Sequence, residues 1–137
     1  MTLRESREKT VLAHVAAENN HDVQGTLNSF HDPGYTVVPF GPGGTVRGAE
    51  GVGALLGGLF AGFPDFRAEI QALHHTDSAV VAEVLMTGTH QGPWAGLPAT
   101  GKPIHVPTCC IFEFDGDKLM NEKVYFDNAT MMAQLGA

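Results

Sequence analysis

The sequence predicts an α+β domain in which helices cover one face of a strongly curved, mostly antiparallel sheet. Three observations carry this expectation. Helix-period apolar spacing is confined to the first half of the chain and its last few residues, long strand-like runs fill residues 66–127, and two of those runs are apolar at both alternating positions. A sheet that is apolar on both faces needs two covers. Helices supply one, and a cavity or a partner must supply the other.

The elements follow in order. Residues 3–19 read as a helix with Leu3, Val11, Leu12 and Val15 near one stripe, stopped by Asn19-Asn20. Asp22 can cap a second helix reaching about His31, carrying Val23, Leu27 and Phe30, before Asp32-Pro33-Gly34 breaks the pattern. Tyr35 to Phe40 reads as a strand whose Pro39 argues for an edge or a bulge. Gly41-Pro42-Gly43-Gly44 turns it back toward Thr45-Val46-Arg47. A third helix is expected over about Ala49 to Ala61, although its interior glycines weaken it by about 1 kcal/mol each relative to alanine; close packing against a sheet would account for them. Strands then run over 66–73, 78–90, 104–114 and 118–127, with Asp115-Gly116-Asp117 as a hairpin signal. A loop rich in turn formers, residues 92–101, joins the middle pair, and a short final helix begins near Ala129.

At 137 residues the chain fits one domain, 1–137, which buries roughly 70% of its unfolded surface. No apolar run approaches the roughly 20 residues that cross a bilayer, so no membrane partner is expected. Eight basic residues against fifteen acidic give a net charge of −7 with no basic cluster, which argues against nucleic acid. The charged start, Thr2 to Lys9, lacks the pattern of a secretion signal, and a cytoplasmic location is the default expectation. The two cysteines, Cys109 and Cys110, are adjacent in a strand, point to opposite faces, and read as small hydrophobes rather than a disulfide.

Chemistry-bearing motifs are sparse. There is no Gly-x-Ser-x-Gly, and Gly41-Pro42-Gly43-Gly44 lacks the lysine of a phosphate loop. With no His-x-x-x-His pair, and with His74 and His75 diverging on a strand, no metal site is expected. His14 and His21 read as surface residues. The residue that stands out is Asp127, an acid closing the apolar run Val124-Tyr125-Phe126. A buried carboxylate costs several kcal/mol unless paired or protonated, so it is either satisfied or working. Capping the final helix is the competing use.

The second half resembles the SnoaL-like polyketide cyclases, within the nuclear transport factor 2-like superfamily. The match rests on Gly88-Thr89-His90-Gln91-Gly92, on Gly96-Leu97-Pro98-Ala99-Thr100-Gly101-Lys102, on Ile111 to Leu119 around Asp115-Gly116-Asp117, and on Tyr125-Phe126-Asp127 with Gln134-Leu135-Gly136. The resemblance implies a cone of bent sheet and about three helices around an internal pocket, and a homodimer joined through sheet faces. It implies a small hydrophobic ligand, no metal or organic cofactor, and an aspartate matching Asp127 as acid/base in an intramolecular aldol ring closure. Related isomerases and dehydratases, epoxide hydrolases and non-catalytic binding proteins share the fold, so the reaction needs its own evidence.

Around Asp127 the sequence offers His90 and His105 as carbonyl-polarising or proton-exchanging groups and Tyr125 as an oxyanion donor. Strand parity puts Lys123, Tyr125 and Asp127 on one face; if Val124 and Phe126 pack beneath helices, that face lines the cavity. Lys123, His31 and Trp94 complete the set as substrate-binding candidates. Loop anchoring for His90, solvent for Lys123 and plain packing for Trp94 stand as alternatives. Epoxide hydrolysis would need an arginine between two acids, and Arg47 and Arg67 are the candidates outside the first helix.

Overall fold

The computed structural model describes residues 1–38 and 44–137. Helix α1 (Leu3–Asn19) starts from a reciprocal cap in which Thr2 and Glu5 satisfy each other's backbone amides. Its buried stripe is not the expected one. Leu3 and Leu12 are about half exposed, at 49% and 51%, and the inward face instead carries Arg7, Val11, His14 and Val15. Arg7 anchors this face: its guanidinium donates to the carbonyls of Gly116 (2.8 Å) and Asp77 (3.0 Å) and lies over the Phe114 ring, tying α1 to two hairpin turns. At the other end the Asn19 amide exchanges two hydrogen bonds with the backbone of Ala68.

Helix α2 (Val23–Asn28) is capped by Asp22 as expected, but ends three residues short of His31. Strands β1 (Gly34–Val38) and β2 (Thr45–Arg47) follow, then α3 (Gly48–Gly62), β3 (Arg67–His75), β4 (Ala79–Thr89), β5 (Pro103–Asp115), β6 (Lys118–Phe126) and α4 (Asn128–Leu135). The sheet order is β2-β1-β6-β5-β4-β3. All pairs are antiparallel except β1 with β6, so the sheet is mixed. The expected edge position of the first strand holds for β2 instead, because Tyr35 and Thr36 of β1 are paired on both sides. Pro39 and most of the expected Gly41-Pro42-Gly43-Gly44 turn lie outside the described residues.

Register shifts at Ile70/Ala72 and Glu113/Phe114 bend the long strands. The bent, unclosed sheet with helices against one side is the expected α+β cone; the described residues form four helices, three main ones and the short last one expected near Ala129. The β5–β6 hairpin turns where Asp115-Gly116-Asp117 predicts it, with Gly116 at φ 59°. No helix among the described residues is long and apolar enough to cross a membrane.

Packing explains only some of the α3 glycines. A Cβ on Gly62 would sit 2.8 Å from that of Trp94, whereas Gly57 and Gly58 face open space with no atom within 4 Å. Gly57→Ala and Gly58→Ala should therefore each stabilise the protein by about 0.5–1 kcal/mol through helix propensity alone. Thermal unfolding checks this, and a lowered midpoint would mean that α3 is covered in solution.

Candidate functional site

The cone encloses a partly open cavity of about 120 Å³ between the helices and the inner sheet face. Leu55, Leu56 and Leu59 of α3, Val84 and Met86 of β4, and Val124 and Phe126 of β6 make its wall largely apolar. Trp94 comes from the β4–β5 loop, held in a two-residue turn with mutual backbone bonds between Trp94 and Leu97 (3.0 and 2.8 Å). The central residues of that turn, Ala95 and Gly96, both have positive φ, as a type I′ turn requires. The Trp94 ring stands edge-on to Phe63, which in turn stacks on His90.

Three polar side chains break the apolar lining: Glu18, Tyr35 and Glu122. Their convergence follows from register. Tyr35 of β1 and Phe112 of β5 both pair across with Glu122 of β6, so these three form one inward row. From above, α1 delivers His14 and Glu18, one turn apart on its inward face. His14 is fully buried and Glu122 is 3% exposed.

His14 Nε2 lies 3.0 Å from Glu18 Oε1, 3.3 Å from Glu122 Oε1 and 3.4 Å from the Tyr35 hydroxyl. Its Nδ1 is 2.8 Å from Ser29 Oγ, whose own proton goes to the Thr26 carbonyl at 2.6 Å. Ser29 must therefore accept, and Nδ1 carries a hydrogen. Phe30 and Phe112 meet the imidazole edge-on and fix its plane. The Nε2–H can align with only one carboxylate. Glu18 takes it, leaving Glu122 Oε1 with charge attraction but no hydrogen-bond partner.

Burial alone would strip the proton from His14, but Glu122 and Glu18 more than offset this and raise its pKa to about 10. Burial pushes the Glu18 carboxyl up, against the pull of the His14 charge. Burial, then the negative charge of Glu122, holds the Tyr35 hydroxyl protonated well above its usual range. The Cys110 thiol, also in the lining, is pushed up for the same reasons and is no thiolate.

The candidates read from sequence are placed differently, apart from Trp94. Lys123, Tyr125 and Asp127 do share a face, but it is the outer one, because Glu122, Val124 and Phe126 take the cavity side. Tyr125 is 39% exposed, and Lys123 pairs with Glu113 at 3.4 Å. Asp127 caps α4: it accepts from Thr130 Oγ1 (2.7 Å) and the Ala129 amide (3.1 Å), and the Thr130 bond leads in holding its pKa below the usual value.

His105 is exposed, its backbone clamped on both sides by the Gln134 amide, so Gln134 serves to dock α4 on β5. His90 is buried but outside the cavity lining; its Nδ1 receives the Thr100 amide and anchors the glycine-rich loop. It does not approach His105, which pairs with Thr87. His31 is exposed and contributes only its backbone amide, to Leu119. Neither His14 nor His21 is a surface residue: the first is the centre of the cluster, and the second stacks on Phe60 and bonds the Phe66 carbonyl. Arg47 and Arg67 are exposed and neither lines the apolar cavity; Arg67 borders only an open surface depression beside Asn19, His21 and Asp65, which leaves the cavity without the arginine that epoxide hydrolysis would need.

Sequence reasoning misses this cluster although part of its signal is present. Arg7, Val11, His14, Val15 and Glu18 fall at helical spacing, and residue type alone turns the polar members outward.

A bent mixed sheet with helices packed against its inner face and a cavity between them defines the nuclear transport factor 2-like α+β cone. Solved structures agree. A SnoaL-like protein from Jannaschia sp. CCS1 aligns over 97% of this chain and 93% of its own with a TM-score of 0.86 at 20% identity. AclR of Streptomyces galilaeus, a proposed hydroxylase, aligns over 98% of both chains with a TM-score of 0.81 at 22% identity. IdmH of Streptomyces antibioticus, a proposed polyketide cyclase, covers 96% of this chain and 99% of its own, with a TM-score of 0.76 and 27% identity. The family model for SnoaL-like polyketide cyclase matches residues 8–135, and the chain belongs to that family. Among curated proteins, no sequence matches it.

Proposed function

We propose that the cavity binds a small, largely apolar carbonyl compound and that Glu122 moves a proton on it, in an acid/base reaction of the cyclase, isomerase or dehydratase kind. The observation that carries this reading is the Glu122 carboxylate: buried, on the wall of an apolar cavity, with one oxygen free of any hydrogen bond among the described residues. A group so costly to bury is retained where it does chemistry. The family assignment supports a cyclase-type role.

In the ring-closing version, Glu122 takes the proton α to a carbonyl, and the Tyr35 hydroxyl, which burial keeps protonated, hydrogen-bonds the enolate oxygen. The enolate carbon attacks a second carbonyl of the same molecule, and the proton ends on the new alkoxide. Ketosteroid isomerase likewise sets a carboxylate base against a tyrosine that hydrogen-bonds the oxygen. The cavity volume of about 120 Å³ is near the roughly 150 Å³ of an apolar cavity that takes up benzene, so one ring fits inside and larger substrates extend through the open side. Deuterium incorporation into enolisable aryl ketones and β-diketones, followed by NMR, tests the reading. Exchange by the wild type that is lost in Glu122→Gln supports it, and equal exchange by both proteins rejects it.

Asp127 in its cap favours a second reading, a non-catalytic protein that binds an apolar molecule, because it removes the acid that the family resemblance put at the reaction centre. That reading predicts ligand uptake without exchange.

We also infer a homodimer through the outer sheet face, in the cytoplasm. Val81, Leu85, Cys109 and Ile111 stay half-buried there beside the exposed Tyr125, on the side away from the helices. Light scattering should give twice the chain mass, reduced to one chain by Ile111→Lys. A monomeric wild type would remove the inference.

A further inference from the structure

We propose that His14, Glu18 and Glu122 form a binding site for one divalent transition-metal ion of the Zn²⁺ or Co²⁺ type. The inference does not rest on the acid/base reading. It starts from spacing: the three ligand atoms lie within 4.8 Å of one another, with Nε2 at 3.0 and 3.3 Å from the two carboxylate oxygens. Donors about 2.0–2.1 Å from a tetrahedral ion stand roughly 3.3 Å apart, so two of the three separations are already near those of a loaded site.

The surroundings of the cluster point the same way. Glu122 is 3% exposed, and its unpartnered Oε1 faces His14 Nε2. The Nδ1–H of His14 is fixed by Ser29, itself fixed by the Thr26 carbonyl, which is the outer-shell support that orients a metal-ligating imidazole through its other nitrogen. A neutral imidazole and two carboxylates carry −2, matching a divalent ion in an otherwise apolar enclosure. One nitrogen and two oxygens suit zinc, cobalt, iron or manganese better than calcium, which takes six to eight oxygens. Glu18 and Glu122 both line the cavity, so the remaining coordination position opens toward a ligand there. An ion held here would displace the proton on Nε2 and occupy the Glu122 carboxylate, so the loaded protein would be silent in the deuterium-exchange assay.

The probe is Co²⁺, titrated into chelator-treated full-length protein and read by its visible d–d absorption, with Zn²⁺ as competitor. The expected result is one Co²⁺ per chain in a four-coordinate spectrum, displaced by Zn²⁺. Affinity should fall at least tenfold in Glu122→Gln and by about 10–100-fold in Ser29→Ala, which leaves every ligand in place. Circular dichroism confirms that each variant is folded, and Ser29→Ala decides the matter if Glu122→Gln is not. Absence of the four-coordinate spectrum, or binding unchanged in both variants as exposed histidines such as His74 would give, overturns the proposal. With exchange measured on the metal-free protein, exchange without cobalt binding sinks this inference alone, and cobalt binding with no exchange by the metal-free protein sinks the acid/base reading alone.

Discussion

His14→Leu should cost about 3–5 kcal/mol of stability at neutral pH, because it removes the cation between two buried carboxylates and leaves both uncompensated. Urea denaturation of metal-free protein measures this. The loss should shrink as pH falls, since protonating Glu18, whose carboxyl burial already pushes up, removes stranded charge. Replacing His14, Glu18 and Glu122 together with leucine should recover most of it, as exchange of a whole buried ionic set for packed apolar groups often does.

The wild type shows the same linkage from the other side. The folded pKa of His14, about 10, lies above its usual 6.5, so its contribution is fully present below about pH 6.5 and is lost as pH rises through about 10. NMR of the His14 ring should show no deprotonation between about pH 6 and 8. A ring that titrates near its usual value would mean that the two carboxylates do not act on it.

Glu122→Gln should lower deuterium exchange by about 10²–10⁴-fold, the usual contribution of a positioned general base. The amide keeps the shape of the carboxylate and can still bond its neighbours, so ligand affinity should change far less than turnover. Asp127→Asn is the informative companion. Asparagine caps helices as well as aspartate does, and Asp127 makes only cap bonds at the surface. Turnover should be unchanged. Loss of exchange in Asp127→Asn with retention in Glu122→Gln would return the reaction to the strand end where the family resemblance put it.

The contrast between these two acids shows what could be read in the chain. Strand existence, the β5–β6 hairpin and the caps at Asp22 and Asp127 are local, and turn and cap chemistry spells them out. The parity of Lys123, Tyr125 and Asp127 was legible too. Which side that parity faces was not, because Val124 and Phe126 are as apolar as a cavity wall needs to be and also as a helix-covered face needs to be. The choice depends on α1 and α3 lying over the other set, which is a tertiary fact. His14 failed for a different reason. Its place beside Val11 and Val15 marked it as inward, but a histidine is buried at a discount only when its acids are known, and Glu122 is more than a hundred residues away in sequence. The motif Gln134-Leu135-Gly136 identified the family without pointing to chemistry, since Gln134 docks a helix and Gly136 ends it at φ 76°.

The turn that holds Trp94 has a practical consequence. Trp94 is the chain's one tryptophan and lies on the cavity wall. Excited apart from the tyrosines, its fluorescence is a built-in gauge with a single source, and a change in colour or quenching on adding a compound reads the water and ring contacts at that wall. Screening for the natural ligand therefore needs no label, no turnover assay and no identified product.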